Sequence, residues 1–408
     1  MARQIIQELA SSRRRDAIKA IGALGIATAF PAVLRAQSKP INVGVILPTS
    51  GPNAQFGINS RQGIELVADE LNAAGGLKGL GGAKINLIVA DSTSAPATAA
   101  TVAQRMIAEN DCCAILGAFV SSLTIAISEV TERRGVPLIT MSYSDQLTGR
   151  GFKNIFQVTP KGSVIGKAQF NYAADLAGTK GGGRVAILYE DTAFGTSTAT
   201  GLRAAAKAAN AEIVVDEAYP LGITDITPLI NKVRAAKPDL IFPVSYLNDS
   251  LLIVRALRQQ KITAPVIGGS AGYVIPDFAK ALGDYADGVL SICSANYDLD
   301  TAATQRYRKR YDAFMVHEAL EHAVCLDVLI QSINAAKSAK SEDITKTMRS
   351  MKFTDGWAKA MTNGVIEFDE TGLNPHAEPV MVQWQKNELA TVWPEKFAKA
   401  KYVVRKAG

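Results

Sequence analysis

Gly268-Gly269-Ser270-Ala271-Gly272 fits the G-x-S-x-G spacing in which a serine on a sharp strand-to-helix turn acts as the nucleophile of an α/β hydrolase. Asp residues and His317, His322 and His376 follow in the chain, as a general base and its orienting partner would. Such an elbow requires the serine to open a continuous helix. Pro276 would stand six residues into that helix, with no N–H to give and its ring against the preceding turn. The stretch therefore reads as a Gly-rich loop, and a secreted serine hydrolase acting through Ser270 is the alternative reading.

Two other constellations imitate chemistry and fail on spacing. Gly162-Ser163-Val164-Ile165-Gly166-Lys167-Ala168 resembles a phosphate loop but has one residue too few between its glycines, and Ala168 has no hydroxyl for Mg²⁺; it reads as a helix start. His317-Glu318-Ala319-Leu320-Glu321-His322 imitates a zinc-binding helix, but histidines five apart point about 140° away from each other around a helix, so one metal is not easily shared. They are expected at the surface or its boundary. The first candidate βα turn, Thr49-Ser50-Gly51-Pro52-Asn53, lacks G-x-G-x-x-G, so no dinucleotide is expected there. No cofactor and no metal are expected, and the chain is read as a non-enzyme.

The elements that would position these residues come from a chain of 408 residues, 48% hydrophobic and 20% charged, which suits two or three globular domains. Mean hydropathy is +0.08, which excludes both a solvated tail and a multi-span membrane protein. The formal charge of +6 shrinks to +2 once residues 1–36 are set aside, because that segment holds six basic and two acidic side chains. Nucleic acid is therefore not an expected partner. Residues 1–36 read as a cleaved signal peptide: Arg13-Arg14-Arg15, an apolar stretch over 20–34, then small residues at Ala36 and Ser38. Arg14-Arg15-Asp16-Ala17-Ile18-Lys19 is Tat-like, with Ala17 where Phe is usual, and leaves the general secretory route open. The expected location is the periplasm. Cys112 and Cys113 are expected to be half-buried, and Cys293 and Cys325 could bridge in an oxidising compartment, though four cysteines allow three pairings.

From Ile41 onward, short β-branched runs alternate with Ala-rich helical patterns, the signature of an α/β fold on mostly parallel sheets. Strands are expected at 41–47, 84–90, 113–116 and 137–140, with helices at 58–74, 98–109 and 121–134 between them. The rhythm restarts near residues 152–160, giving strands at 183–189, 212–218, 240–244 and 265–268 and helices at 196–209, 227–236 and 248–260. Long helices near 301–314 and 318–336, then β-like stretches at 365–368 and 379–385, suggest a chain that crosses back between two lobes. Two doubly wound lobes each offer a crevice at the C-terminal ends of their strands, and facing crevices make a clamp that can enclose a small solute by hinge motion.

Specific residues carry a resemblance. Val43-Gly44-Val45-Ile46-Leu47-Pro48-Thr49-Ser50-Gly51-Pro52, Asn72-Ala73-Ala74-Gly75-Gly76, and Gly117 leading into Ser121-Ser122-Leu123-Thr124 resemble the type I periplasmic binding proteins of the leucine/isoleucine/valine kind. Gly135-Val136-Pro137-Leu138-Ile139, Phe156-Gln157-Val158-Thr159-Pro160, Glu190-Asp191-Thr192-Ala193-Phe194-Gly195 and Lys237-Pro238-Asp239 continue it in order across about residues 41–390. The resemblance implies two Rossmann-like lobes joined by a multi-crossover hinge, 37–158 plus 293–368 and 159–292 plus 369–408. It also implies a monomeric receptor that hands a small solute to the membrane permease of an ABC importer, with a sensor of the same fold as a further alternative.

The same resemblance implies that a ligand carboxylate is held by Ser121 and Ser122 and by the loop of Ser142, Tyr143 and Ser144, with Phe56, Phe194 and Tyr246 lining the crevice. Helix physics supports the first part independently, because first-turn N–H groups lack intrahelical partners and face an anion favourably. An ordinary N-cap is the competing role for Ser121. Relatives that bind α-amino acids carry an acid in the second-lobe loop for the ligand ammonium, and Ser270 stands in that position here. Asp191 and Asp145 are the candidate substitutes. The expected solute is a small organic acid or other carboxylate-bearing compound, with branched-chain amino acids close behind.

Overall fold

Ile41-Asn42-Val43-Gly44-Val45-Ile46-Leu47 is apolar at most positions, and Val43, Val45, Ile46 and Leu47 are fully buried, as a central parallel strand covered by helices on both faces must be. The computed structural model describes residues 39–178 and 183–405; the expected signal peptide at 1–36 lies outside the described residues. The first sheet is built from β1 (Ile41–Leu47), α1 (Ala54–Ala73), β2 (Ile85–Asp91), α2 (Pro96–Glu109), β3 (Ile115–Gly117), α3 (Ser121–Arg134), β4 (Leu138–Thr140), α4 (Gln146–Gly149) and β5 (Ile155–Gln157). Its strands are all parallel, in the order β2-β1-β3-β4-β5. Gly135 ends α3 in the left-handed region at φ 64°, its N–H donating back to the Glu132 and Thr131 carbonyls. Arg133 and Arg134 place positive charge on the same helix terminus.

The second sheet follows α5 (Gly162–Ala177): β6 (Arg184–Glu190), α6 (Ala193–Ala208), β7 (Glu212–Tyr219), α7 (Thr227–Ala236), β8 (Leu240–Val244), α8 (Leu247–Gln259), β9 (Ile267–Gly268), α9 (Pro276–Leu282) and β10 (Leu290–Cys293). The glycines of the phosphate-loop look-alike thus sit in α5, where Gly166 packs under the Thr198 carbonyl of α6. The chain then returns to the first sheet's helical layer through α10 (Thr301–Tyr311) and α11 (His317–Ala336), followed by α12 (Ser341–Ser350) and the antiparallel pair β11 (Lys352–Phe353) and β12 (Ile366–Glu367). β13 (Val380–Gln385) and β14 (Glu388–Trp393) complete the second sheet as antiparallel strands beyond β10. A parallel bridge between Ile241 and Val266 joins β7-β6-β8 to β9-β10-β13-β14. Leu373 bridges to Gln157 at the edge of the first sheet.

α11 crosses α1 closely enough that a Cβ at Gly63 would land on the Ala319 carbonyl. That crossing fixes the C-terminal helix against the first sheet's layer. Cys112, Cys113, Cys293 and Cys325 are all buried and unbridged, so Cys112 and Cys113 lie deeper than the half-buried positions expected of them. Among the described residues, no helix is long and apolar enough to cross a membrane.

Candidate functional site

A parallel strand delivers the chain to its C-terminal edge, where the residues that begin the next helix are free to face a crevice. Here those edges meet. From the first sheet, the segment after β3 supplies Phe119 and Ser121, and the segment after β4 supplies Met141, Ser142 and Tyr143. From the second sheet, the segments after β6, β8 and β9 supply Phe194, Tyr246 and Ala271. Together they enclose a cavity of about 10 Å³, the space of a single water. The crevice is closed on its own aromatic side chains.

Phe56, on the first turn of α1, stacks on Phe119 with centroids 4.4 Å apart and planes within 8°. Tyr246 comes edge-on to both, at 6.0 Å from Phe56 and 6.3 Å from Phe119. Phe194 lies 5.4 Å from Tyr246 and 6.1 Å from Tyr143. Aromatic pairs at these separations add favourable quadrupole contacts to the burial of their faces.

Ser121 is the first residue of α3, and the cap position is Val120, with φ −74° and ψ 121° and no side-chain cap. Ser121 is therefore not an N-cap. Leu123 and Thr124 donate to the Val120 carbonyl, whereas the Ser121 and Ser122 amides have no backbone carbonyl partner among the described residues. Tyr246, from the opposite side, lines the same cavity as Ser121. A positive helix end thus faces the crevice, with Tyr246 in the opposite wall.

The remaining expected site residues divide. Ser142 lines the cavity, but its hydroxyl is engaged with Thr124 Oγ1 at 2.6 Å and donates to the Phe119 carbonyl at 3.1 Å. Ser122 is half-buried and outside the lining. Ser144 is buried and accepts the Gln146 N–H at 3.3 Å, which spends it on starting α4. Asp191 is exposed and accepts the Leu221 N–H at 3.3 Å, and Asp145 accepts the Ser163 N–H at 2.9 Å. Neither carboxylate lines the cavity. Ser270 is buried at φ 67°, outside the lining, and its Oγ has no hydrogen-bond partner. The short turn after it gives way to α9, which starts at Pro276, so no nucleophile elbow forms.

The histidines expected at the surface are not there: His317 is 3% exposed and His322 is 0% exposed, with Glu318 and Glu321 equally buried beside them. α11 lies between layers, so even its polar positions are covered. His322 Nδ1 donates to the Glu318 carbonyl at 3.0 Å, and burial pushes its pKa down to about 4, keeping it neutral. Burial also opposes a charge on His317, but the Glu318 carboxylate, 2.9 Å away, outweighs this and raises its pKa. Burial raises Glu321 to about 8, against the opposing pull of His317 and a hydrogen bond from Ser294.

The sequence reading also missed Phe119, Met141 and Ala271 in the cavity wall, and Asp249 on the first turn of α8. Burial, reinforced by Glu190, raises Asp249 to about 7, and its Oδ2 has no partner. Among the described residues, no group of three or more His, Cys, Asp or Glu side chains could hold a metal ion.

Comparison with known proteins gives this geometry its context. A family described as "Periplasmic binding protein" matches residues 40–387. A Leu/Ile/Val-binding protein homolog 8 of Brucella suis is 31% identical over 406 residues, covering 95% of this chain and 98% of the relative. Among solved structures, the branched-chain amino acid transporter substrate-binding protein LivJ of Streptococcus pneumoniae, in complex with isoleucine, superposes with a TM-score of 0.77 at 25% identity, covering 87% of this chain and 100% of that one. A solute-binding protein of an ABC transporter from R. palustris, in complex with benzoate, gives 0.75 at 20% identity over 90% and 98% of the two chains. The facing strand ends, the crevice between them and the match over most of the chain agree: the protein belongs to the periplasmic binding proteins, with the type I fold, and to the branch that serves branched-chain-amino-acid-type ABC transporters.

Proposed function

We propose that the chain is an exported, non-catalytic receptor that encloses a small carboxylate-bearing solute between two lobes, 37–158 plus 293–368 and 159–292 plus 369–408, and delivers it as a monomer to an ABC permease. Family members bind small solutes and work with such permeases in the periplasm. The observation that carries the solute class is the uncapped start of α3. The Ser121 and Ser122 amides have no carbonyl partners, Ser121 lines the crevice, and an anion there gains about 0.3–1 kcal/mol from the helix end, or up to about 2 when partly buried. Isoleucine in the S. pneumoniae protein and benzoate in the R. palustris protein have little in common beyond a carboxylate, which supports reading that group as the shared handle.

The closed crevice holds no more than a water, so the lobes part to admit a solute, whose carboxylate meets the Ser121 amide. Ser142, Tyr143 and Ser144 then form the opposite edge of the anion site, and Phe56, Phe194 and Tyr246 cover the apolar part. Calorimetric titration with leucine, isoleucine, aliphatic acids and benzoate tests this, with mass spectrometry of the recovered solute. The expected result is saturable one-to-one binding with the acid recovered unchanged and the melting temperature raised. Turnover of any member, or indifference to all carboxylates, overturns the reading.

A further inference from the structure

The end of the chain carries a charge that the rest of it does not. Residues 395–408 hold five basic side chains, Lys396, Lys399, Lys401, Arg405 and Lys406, against the single acid Glu395, a net of +4. Residues 37–394 sum to −2, so the positive balance left after residues 1–36 are set aside comes from this one segment. Such asymmetry draws a negatively charged partner to one place on the surface.

The structure ties this segment down by its backbone and leaves its side chains outside. Past β14 the chain turns back, and the Lys399 and Ala400 N–H groups donate to the Thr391 carbonyl. Side chains of β13 then hold it: Gln383 Nε2 donates to the Val403 carbonyl at 2.8 Å, Gln383 Oε1 accepts the Val403 N–H at 2.9 Å, and Gln385 Nε2 donates to the Lys401 carbonyl at 2.8 Å. Arg405 Nη2 donates to the Asp284 carbonyl at 3.5 Å, next to the exposed Tyr285. Lys399 and Lys401 are exposed, and Val403 and Val404, at 53% and 69%, are the most exposed large hydrophobic side chains among the described residues. Of the tail's described cations only Lys396 has an ion-pair partner, Glu378 at 2.8 Å. Asp284, Asp287 and Glu388 line a groove beside the tail but make no ion pair with it.

We propose that residues 399–405 dock the chain on an anionic lipid surface, with Lys399, Lys401 and Arg405 against the headgroup phosphates and Val403 and Val404 entering the interface below them. Unpaired cations and adjacent apolar side chains on an extended backbone need no partner of matching shape, which favours a lipid surface over a folded acidic protein. Each lysine or arginine near a negatively charged bilayer strengthens attachment by about five-fold, and apolar side chains add to it as they leave water. Attachment of this kind is reversible, since no helix among the described residues is long and apolar enough to cross the membrane. It is independent of the carboxylate reading and would keep a receptor close to the bilayer in which a permease sits.

Co-sedimentation of the whole chain with vesicles tests this, with equal parts of phosphatidylglycerol and phosphatidylcholine set against phosphatidylcholine alone. The expected result is binding to the anionic vesicles only, lost when salt is raised to about 0.5 M and exposed charges are screened. Lys399→Glu combined with Lys401→Glu, at two exposed positions outside the crevice, is expected to bind at least about ten-fold more weakly with an unchanged melting temperature. Both proteins begin with the same residues, so the difference between them reads the tail and not the N-terminus. Val403→Ser combined with Val404→Ser keeps the charge and is expected to weaken binding by about three-fold or more. No binding to anionic vesicles, equal binding to both lipids, or binding that survives Lys399→Glu with Lys401→Glu overturns the inference. Retention on polyglutamate without binding to vesicles identifies an acidic protein surface as the partner and overturns the lipid assignment, as does release from vesicles by millimolar glycerol phosphate, which marks a headgroup pocket. None of these outcomes bears on the carboxylate site.

Discussion

Tyr246 faces Phe119 across the crevice, with ring centroids 6.3 Å apart and planes inclined at 62°. One ring follows β8 of the second sheet and the other follows β3 of the first, so a contact between loops far apart in the chain closes the molecule on itself. Phe56 and Phe194 pack on the same pair from either side. The aromatic residues proposed to cover a solute thus pack on one another across the crevice.

Tyr246→Ala is expected to lower the unfolding free energy by about 3 kcal/mol, in line with loss of a buried aromatic ring, as measured by urea denaturation without added solute. Tyr246→Phe keeps the ring and removes only the hydroxyl, and its cost is expected to stay below about 1 kcal/mol. Equal losses for the two variants would show that the hydroxyl, and not the ring, holds the crevice closed.

Ser121→Pro deletes one N–H at a helix position where proline is tolerated, and Val120 already has the extended backbone that precedes proline. Carboxylate affinity is expected to fall by about ten-fold or more, with an unchanged far-ultraviolet circular dichroism spectrum. Ser121→Ala, which keeps the amide and removes a hydroxyl that caps nothing, is expected to bind within about three-fold of the original, since the loss is at most that of one weak hydrogen bond. A larger effect from the alanine variant than from the proline variant contradicts the amide's role.

Much of this was legible in the residue pattern. The run 41–47 reads as a buried strand because it is a short run rich in β-branched residues, Ile41, Val43, Val45 and Ile46, and the stretch 121–134 reads as a helix between a Ser-Ser start and Gly135. Five of the expected site residues, Ser121, Ser142, Tyr143, Phe194 and Tyr246, line one cavity because each follows the C-terminal end of a parallel strand, a rule of topology that needs only the strand positions. β10 escaped notice because four residues, Leu290-Ser291-Ile292-Cys293, carry too little periodicity. The α11 cluster was misplaced for a different reason. Two histidines and two glutamates on one helix look solvated, and only the packing of α1, the crevice wall and Ser294 around them makes them interior. Ser144 and Asp145 look free in sequence, but the starts of α4 and α5 consume their oxygens.

Gly63→Ala pushes a methyl into the Ala319 carbonyl at the α1–α11 crossing. The expected cost is about 1–3 kcal/mol, with a weaker Asn59–Glu318 contact next to it and reduced solute affinity. Chemical denaturation and titration of the same preparation check both effects, and a neutral substitution would mean that the crossing is looser than the packing shows.

The buried acids also predict a pH dependence. Glu321 and Asp249 are raised in the folded chain, to about 8 and about 7, so the folded state holds their protons where the unfolded chain has lost them. Their contribution to stability is complete below the ordinary carboxylate range and is lost as pH rises through about 7 and about 8. His322, depressed to about 4, acts on the other side: its contribution is present above the ordinary histidine range and is lost as pH falls toward about 4. Melting temperature is therefore expected to decline between about pH 6 and pH 9, and less steeply in Glu321→Gln. Parallel wild-type and variant curves over that range contradict the assignment of the decline to Glu321.

The measurement that bears most directly on the account is a crystal structure of the chain with the tightest-binding acid from the titration panel. The account predicts an intact solute between the two sheets, its carboxylate within hydrogen-bond distance of the Ser121 and Ser122 amides. A solute bound elsewhere, with its carboxylate away from the Ser121 amide, contradicts it.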